Sequence, residues 1–431
     1  MSTSTAGAEP VPEPSEGRWS LALREIMGGS VLISILAVVL GLIAGAILIA
    51  FTDENVQKAS GYFFSRPVDT LAAVWRAVSG AYTSLFQGSI YNIPAHSFSQ
   101  GIRPLTQTLT FATPLIAGGL GVGLSFRVGL FNIGGQGQML IAAACAGWVG
   151  FSVHAPLGIH VILAVLAGLA GGAIWGGIVG VLKAQTGAHE VITTIMLNFV
   201  AYYFIAYLLR TPGALQAPGS NNPKSPPILP SAILPPILGP GYELHFGFIL
   251  VIAATIVAWW LLNRSSLGFQ FRAVGANPSA ARVAGIDVKR VYIYSMLISG
   301  ALVGLAGLIQ VLGTSVQGFS SGIDAGIGFD AITVALLGRS KPWGIFAAGL
   351  LFGALKAGGY SMQAANGIPV DIVLVVQSLI VLFIAAPPLV RAIFRLPTPG
   401  QRKPKRRPAS GAGPAAPSTP TGSATEEVRA Q

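Results

Sequence analysis

Residues 159–182 read IHVILAVLAGLAGGAIWGGIVGVL, a run without a charged side chain in which glycine recurs at 168, 172, 176 and 180. As a helix, such a run rises about 36 Å, enough to cross the ~30 Å hydrocarbon core of a bilayer. At 3.6 residues per turn the four glycines make a slowly drifting strip bare of side chains, against which a second backbone can lie closely. Gly300 with Gly304, and Gly349 with Gly353, repeat that spacing in other apolar runs. The run predicts a membrane-spanning helix packed tightly on its neighbours.

Reading outward, the whole chain has this character. Its 431 residues are 52 % hydrophobic and only 10 % charged, with a mean hydropathy of +0.67. A soluble domain carries roughly 25 % charged residues. Apolar runs near 29–51, 104–126, 131–153, 159–182, 191–209, 247–263, 291–313, 326–337, 343–360 and 370–387 predict an all-α, polytopic transmembrane bundle of about ten spans. The run at 326–337 is short for a crossing, so it is either extended upstream or a broken helix. The first run is too long and begins too late for a cleaved signal peptide and reads as a retained helix.

The remaining segments divide the chain. Residues 1–28 read as a disordered tail, and 29–103 as a first span followed by an extracellular stretch that is amphipathic over 69–86. The helical core is 104–387, interrupted by the Pro-, Gly- and Asn-rich stretch 210–246, and 388–431 is a basic, Pro-rich tail. With both termini cytoplasmic, most of the 26 Lys and Arg fall on the cytoplasmic side, including Arg127, Lys183, Arg264, Arg339 and Lys341. The net charge of +11 therefore follows membrane topology and predicts no nucleic-acid partner, while the cluster Arg402–Arg407 reads either as a contact with anionic lipid or as a merely solubilising tail. Cys145 is the single cysteine, which excludes an internal disulfide and a cysteine-rich metal site.

Few polar side chains interrupt the spans. Asn132 and Gln136 are four residues apart at the start of one span and would share a helical face, with Gln138 pointing elsewhere. Asn198 lies in the next span but one, and Asp330 just inside the short run. Buried amides and carboxylates need partners or water, so each amide either bonds between helices or lines a translocation path or gate, and Asp330 either caps a broken helix or pairs with a neighbour, or serves the path or gate. Glu190 is placed to cap the helix it opens. There is no Walker A motif, nucleophile elbow or histidine–carboxylate constellation. No catalytic, cofactor-binding or metal-binding residue is expected.

The cytoplasmic loop 264–290 differs in kind. Asn277 is a good N-cap, Pro278 suits the first helical position, 279–284 follow as a short helix, and Gly285 suits the position after its end. A mere connection has no use for a capped helix, so the loop reads as a docking element for a cytosolic partner. An interface-lying structural helix is the alternative.

Four stretches carry a resemblance: GLSFRVGLFNIGGQGQML (123–140), GAHEVITTIMLNFVA (187–201), LGFQFRAVGANPSAARVAGIDV (267–288) and GFDAITVALLGRSKPWG (328–344). They resemble the inner-membrane permeases of type II bacterial ABC importers for simple sugars and nucleosides, the branched-chain amino acid/ribose-type family. The resemblance implies a bacterial, multi-pass cell-membrane subunit that forms half of a translocation pathway and is not itself an enzyme. It implies that 267–288 carries the coupling helix, with Arg272, Gly275, Asn277, Ala280, Ala281, Arg282 and Gly285 shaping the contact with a cytosolic ABC ATPase that hydrolyses the ATP. It also implies an external or lipid-anchored solute-binding protein. The extra first span and the FNIGGQGQ run resemble the longer of two non-identical permeases in nucleoside systems, so nucleosides are favoured over ribose, galactose or other sugars. The residues alone leave open an ion-coupled secondary transporter and a non-transport membrane scaffold.

Overall fold

The computed structural model describes residues 30–239 and 241–395. The two terminal tails, including the basic cluster after residue 396, lie outside the described residues. Among the described residues the secondary structure is helical, with one isolated β-bridge between Pro236 and His245. All ten expected spans are helices. Seven are long and apolar enough to cross a membrane by length and composition, in agreement with a polytopic bundle.

The helices are α1 Ser30–Thr52, the short α2 Glu54–Ser60, α3 Pro67–Ser89, the single turn α4 Phe98–Gly101, α5 Arg103–Arg127, α6 Gly135–Ser152, α7 Ile159–Thr186 and α8 Glu190–Leu208. They continue as α9 Gly247–Arg264, α10 Ser266–Ala276, α11 Pro278–Val283 and α12 Val288–Ile309, which runs into a π-helical turn at Gln310–Thr314. Last come α13 Ile327–Leu337, α14 Pro342–Asn366, α15 Asp371–Ala385 and α16 Pro387–Ile393. Residues Gly29–Phe394 form one compact unit.

The glycine strip of α7 meets the glycines of α12. A Cβ on Gly172 would stand 2.4 Å from the Gly300 carbonyl oxygen, and one on Gly300 would stand 2.3 Å from the Gly172 carbonyl oxygen. Gly176 faces the Met296 carbonyl and Gly180 the Ile293 backbone in the same way. Lipid tails are as apolar as leucine, so helices in a bilayer associate through close packing, and small residues maximise it. The pair Gly349 and Gly353 on α14 likewise receives α5, at Ile116 and Thr108. The buried core lies between α5, α6, α7, α12, α13 and α14, around Leu115, Leu120, Leu140, Val303 and Phe352.

The helix over 67–89 is continuous and is no free-standing surface element. Its Leu85 carbonyl lies against Gly358 of α14, while Leu71 and Trp75 stay exposed on its other side. Helix α1 packs against α15 around Ala37 and Ile380. Glu190 stands in the first turn of α8, after the cap position His189; its carboxylate accepts its own backbone N–H and also reaches 2.8 Å across the turn to Lys183 at the end of α7.

The stretch 210–246 holds no span but is partly internal. Ser225 N–H donates to the Phe319 carbonyl (3.0 Å), Phe319 N–H to Ser225 Oγ (2.9 Å), Ile228 N–H to the Val316 carbonyl (2.8 Å) and Leu234 N–H to the Leu312 carbonyl (2.9 Å). It thereby supplies partners to the non-helical backbone after α12, which a bilayer interior would otherwise leave unpaired.

Replacing Gly172 by Leu is expected to destabilise the purified protein by about 3 kcal/mol, because a backbone carbonyl cannot rotate out of the way. Gly322→Ala, where an added Cβ meets nothing within 4 Å, is the control. Thermal midpoints of the detergent-solubilised full-length chain check this, and equal midpoints would refute the packing account.

Candidate functional site

Two helices begin inside the bundle and meet at their N-termini. Helix α6 starts at Gly135 and α13 at Ile327. A Cβ on Gly135 would lie 2.6 Å from the Gly328 carbonyl oxygen, and one on Gly328 would lie 2.4 Å from the Gln136 nitrogen. The eleven residues of α13 put this junction about 16 Å above the turn 338–341, roughly half the thickness of a hydrocarbon core. Helix N-termini present unpaired N–H groups and a partial positive charge, so polar groups gather there.

The short run is a broken helix. Upstream of it the chain turns through Ala325 (φ 45°) and Gly326 (φ 77°), both left-handed. That conformation is uncommon for a residue with a Cβ, and it ends any upstream extension. Ala325, Gly326 and Phe329 are exposed while Ile327 and Gly328 are buried, so one side of the junction is open.

The amides are not arranged as their spacing suggests. Gly134 and Gly135 delay the start of α6, so Asn132 lies in the preceding non-helical segment and not on a shared face with Gln136. Asn132 instead pairs with Gln138: its Nδ2 donates to Gln138 Oε1 and its Oδ1 accepts from Gln138 Nε2, both at 3.2 Å. Its Nδ2 also donates to Ser299 Oγ (2.9 Å), and its Oδ1 accepts the Gly134 N–H (2.9 Å). Asn198 on α8 bridges the same segment, donating to the Ile133 carbonyl (2.9 Å) and accepting the Gly137 N–H (2.8 Å). The polar groups of Asn132 and Asn198 are thus engaged within the chain.

Gln136 is half-buried at the junction and hydrogen-bonds the carboxylate of Asp324. Asp324, 4 % exposed, was not singled out by the sequence. It lies in a stretch that reads as a connection, and only the fold carries it to α6. Its Oδ2 also accepts the Gly326 N–H at 3.3 Å. Asp330 does not cap α13. It is paired with Lys356 of α14 at 3.9 Å, both side chains partly exposed. Gln136, Asp324, Asp330 and Lys356 therefore offer hydrogen-bond acceptors and donors of both charges at mid-depth.

At the end of the bundle near the turn 338–341 stands the ordered loop. Ser265 Oγ caps α10 through Gly268 N–H (2.9 Å), and Phe271 and Val274 are buried among Leu124, Val128 and Leu130. Gly275 is required because a Cβ there would lie 2.1 Å from the Arg127 carbonyl oxygen. Asn277 Oδ1 accepts the N–H groups of Ser279 (2.9 Å) and Ala280 (3.1 Å), capping α11, and Gly285 takes φ +83° just beyond its end. Ala281 is buried and anchors α11. Arg272, Ala280 and Arg282 are exposed, as is Val283, at 91 %.

A family model described as branched-chain amino acid transport system, permease component, matches residues 105–385, the span that holds the junction and the loop. The chain belongs to this permease family. It is 36 % identical over 363 residues to the guanosine ABC transporter permease protein NupP of Bacillus subtilis, covering 84 % of this chain and 95 % of that protein. It is 32 % identical to the nucleoside ABC transporter permease protein NupB of Lactococcus lactis, over 82 % and 90 % of the two chains. It is 38 % identical to the glucose ABC transporter permease protein TsgB13 of Haloferax volcanii, over 65 % and 75 %. No solved structure matches. The relatives are transport permeases, and the chain is a multi-pass cell-membrane protein.

Within this permease the two kinds of polar residue should separate on mutation. Asn198→Ala leaves the Ile133 carbonyl and Gly137 N–H unpaired, and is expected to cost about 2–5 kcal/mol of stability, since each buried unsatisfied group costs about 1–3 kcal/mol. Gln136→Ala withdraws one hydrogen bond from the buried Asp324 carboxylate, which keeps the Gly326 N–H, and should cost about 1.5–3 kcal/mol while leaving every backbone group of α6 paired. Thermal midpoints together with hydrogen-exchange protection at Gly137 check the distinction. Equal loss of protection at Gly137 in the two variants would contradict it.

Proposed function

We propose that this chain is the permease subunit of an ATP-driven importer whose cargo is a nucleoside, and that it lines half of the path. The observation that carries the cargo reading is the near full-length similarity to the guanosine permease, 84 % of this chain against 95 % of that one. The glucose permease matches over a smaller share, 65 % of this chain. The chemistry of the junction suits the reading: carboxylates and an amide accept from ribose hydroxyls, and the Lys356 ammonium donates to base carbonyls. One chain leaves the junction open on one side, and a second, non-identical permease is the partner assigned to close it. A solute-binding protein delivers the cargo from outside.

Energy enters through the 264–290 loop. In this reading α11, with exposed Arg282 and Val283, seats in a cytosolic ATPase, and Arg272, Gly275, Asn277, Ala280, Ala281 and Gly285 shape that contact. ATP is bound and hydrolysed by the partner, so this chain needs no cofactor. Val283 is 91 % exposed and would bury its apolar surface in that contact.

Uptake of labelled guanosine, ribose, galactose and glucose, compared in strains with and without the gene, tests the cargo. Nucleoside uptake should be lost on deletion, and sugar uptake lost with nucleoside uptake intact would overturn the reading. Val283→Asp should lower ATPase stimulation by the loaded binding protein about tenfold, a loss of about 1.4 kcal/mol from placing a carboxylate where an apolar group is buried in the contact, without reducing the amount of protein in the membrane. Unchanged stimulation would remove Val283 from the contact.

A further inference from the structure

A cavity of about 330 Å³ opens at the loop end of the bundle, between the end of α9, the side of α10 and the turn leading into α14. Arg127, Arg272 and Lys341 line it together with Trp259 and Trp343. No carboxylate is among its lining residues, and among the described residues none lies within ion-pairing distance of these three cations. Three like charges around one cavity, with no carboxylate to offset them, make a positive potential that attracts an anion.

The cavity is also held in shape. The half-buried Arg127 donates Nε–H to the Ser340 carbonyl at 2.9 Å. That carbonyl is presented by two successive left-handed residues, Arg339 (φ 53°) and Ser340 (φ 51°), neither of them glycine. Such a turn is strained for residues with a Cβ and persists only where its surroundings fix it. It leaves further guanidinium N–H groups of Arg127 for a ligand, since arginine carries five.

Depth identifies the ligand. Trp259 lies near the end of the spanning helix α9, and Trp343 in the first turn of α14. They are 38 % and 50 % exposed. Indole rings flanking cations at the ends of spanning helices mark the headgroup level of a bilayer. Guanidinium groups match phosphate oxygens in pairs, and the rings suit the glycerol and upper acyl region. We propose that this cavity binds the phosphate of an anionic phospholipid headgroup. The inference does not depend on the cargo, and it gives Arg272 to the headgroup in place of the ATPase contact.

The full-length protein, extracted with whatever subunits copurify and then delipidated, should regain phosphatidylglycerol but not phosphatidylcholine when each is added in detergent, read by native mass spectrometry. Lys341→Gln should weaken retention of phosphatidylglycerol roughly fivefold, and Lys341→Gln with Arg272→Gln more than tenfold, from about 1 kcal/mol per cation near an anionic headgroup. Lys341→Arg should retain the lipid, which separates loss of charge from loss of fold. Equal retention by the wild type and the double glutamine variant overturns the site. Displacement of the lipid by millimolar inorganic phosphate assigns the cavity to a free anion and overturns the lipid source.

Discussion

Peptide groups withdrawn from water inside a bilayer can bond only to one another or to a buried side chain. This constraint accounts for the two places where the permease departs from helix. The segment 128–134 is mostly buried, and its polar backbone groups are taken up by Asn198, by Asn132 and by the Ser125 carbonyl, which accepts the Leu130 N–H. The segment after α12 is served by 225–234 from the long loop. Each interruption therefore needs a dedicated set of partners from a distant part of the chain. Once those partners are in place, two helix N-termini can stand in the middle of the bundle.

The glycine contacts let this happen without opening cavities. Helix α12 lies directly on α7 at Gly172 and Gly300, and in the same register it carries Ser299, which accepts from Asn132 and donates to the Gly121 carbonyl at 2.8 Å. Helix packing and satisfaction of the 128–134 backbone are thus two faces of one helix. A change at either is felt at the other, because the interior of a protein is close-packed and transmits strain.

Much of this was legible in the sequence, and the failures have physical causes. Hydropathy located the ten helices expected as spans, since a spanning segment is defined by its own composition. The i, i+4 glycines gave their role because a missing side chain on a helical face has few other uses. The capped helix at 278–283 was readable because Asn277, Pro278 and Gly285 act on their immediate neighbours. What could not be read was set across the fold. Asn132 and Gln138 pair because Gly134–Gly135 break the helix between them. Asp324 reaches Gln136, and Asp330 reaches Lys356, only through the packing of α13 against α6 and α14.

The position of α12 in the chain links the loop to the junction. It begins one residue after Asp287, whose carboxylate caps it through Lys289 and Arg290 N–H (3.1 and 3.2 Å), so the ordered loop is joined to it without slack. At its other end the π-helical turn at 310–314 leads through 315–326 directly into Asp324 and α13. A helix is stiff along its axis, whereas π-turns and left-handed residues are where backbone geometry is most readily redistributed. Displacement of the loop therefore has a rigid member to travel along, and a deformable one immediately before the carboxylates. Under the proposed function the work done by an ATPase on the loop would reach the polar junction as movement, and α12 is an element that touches both ends.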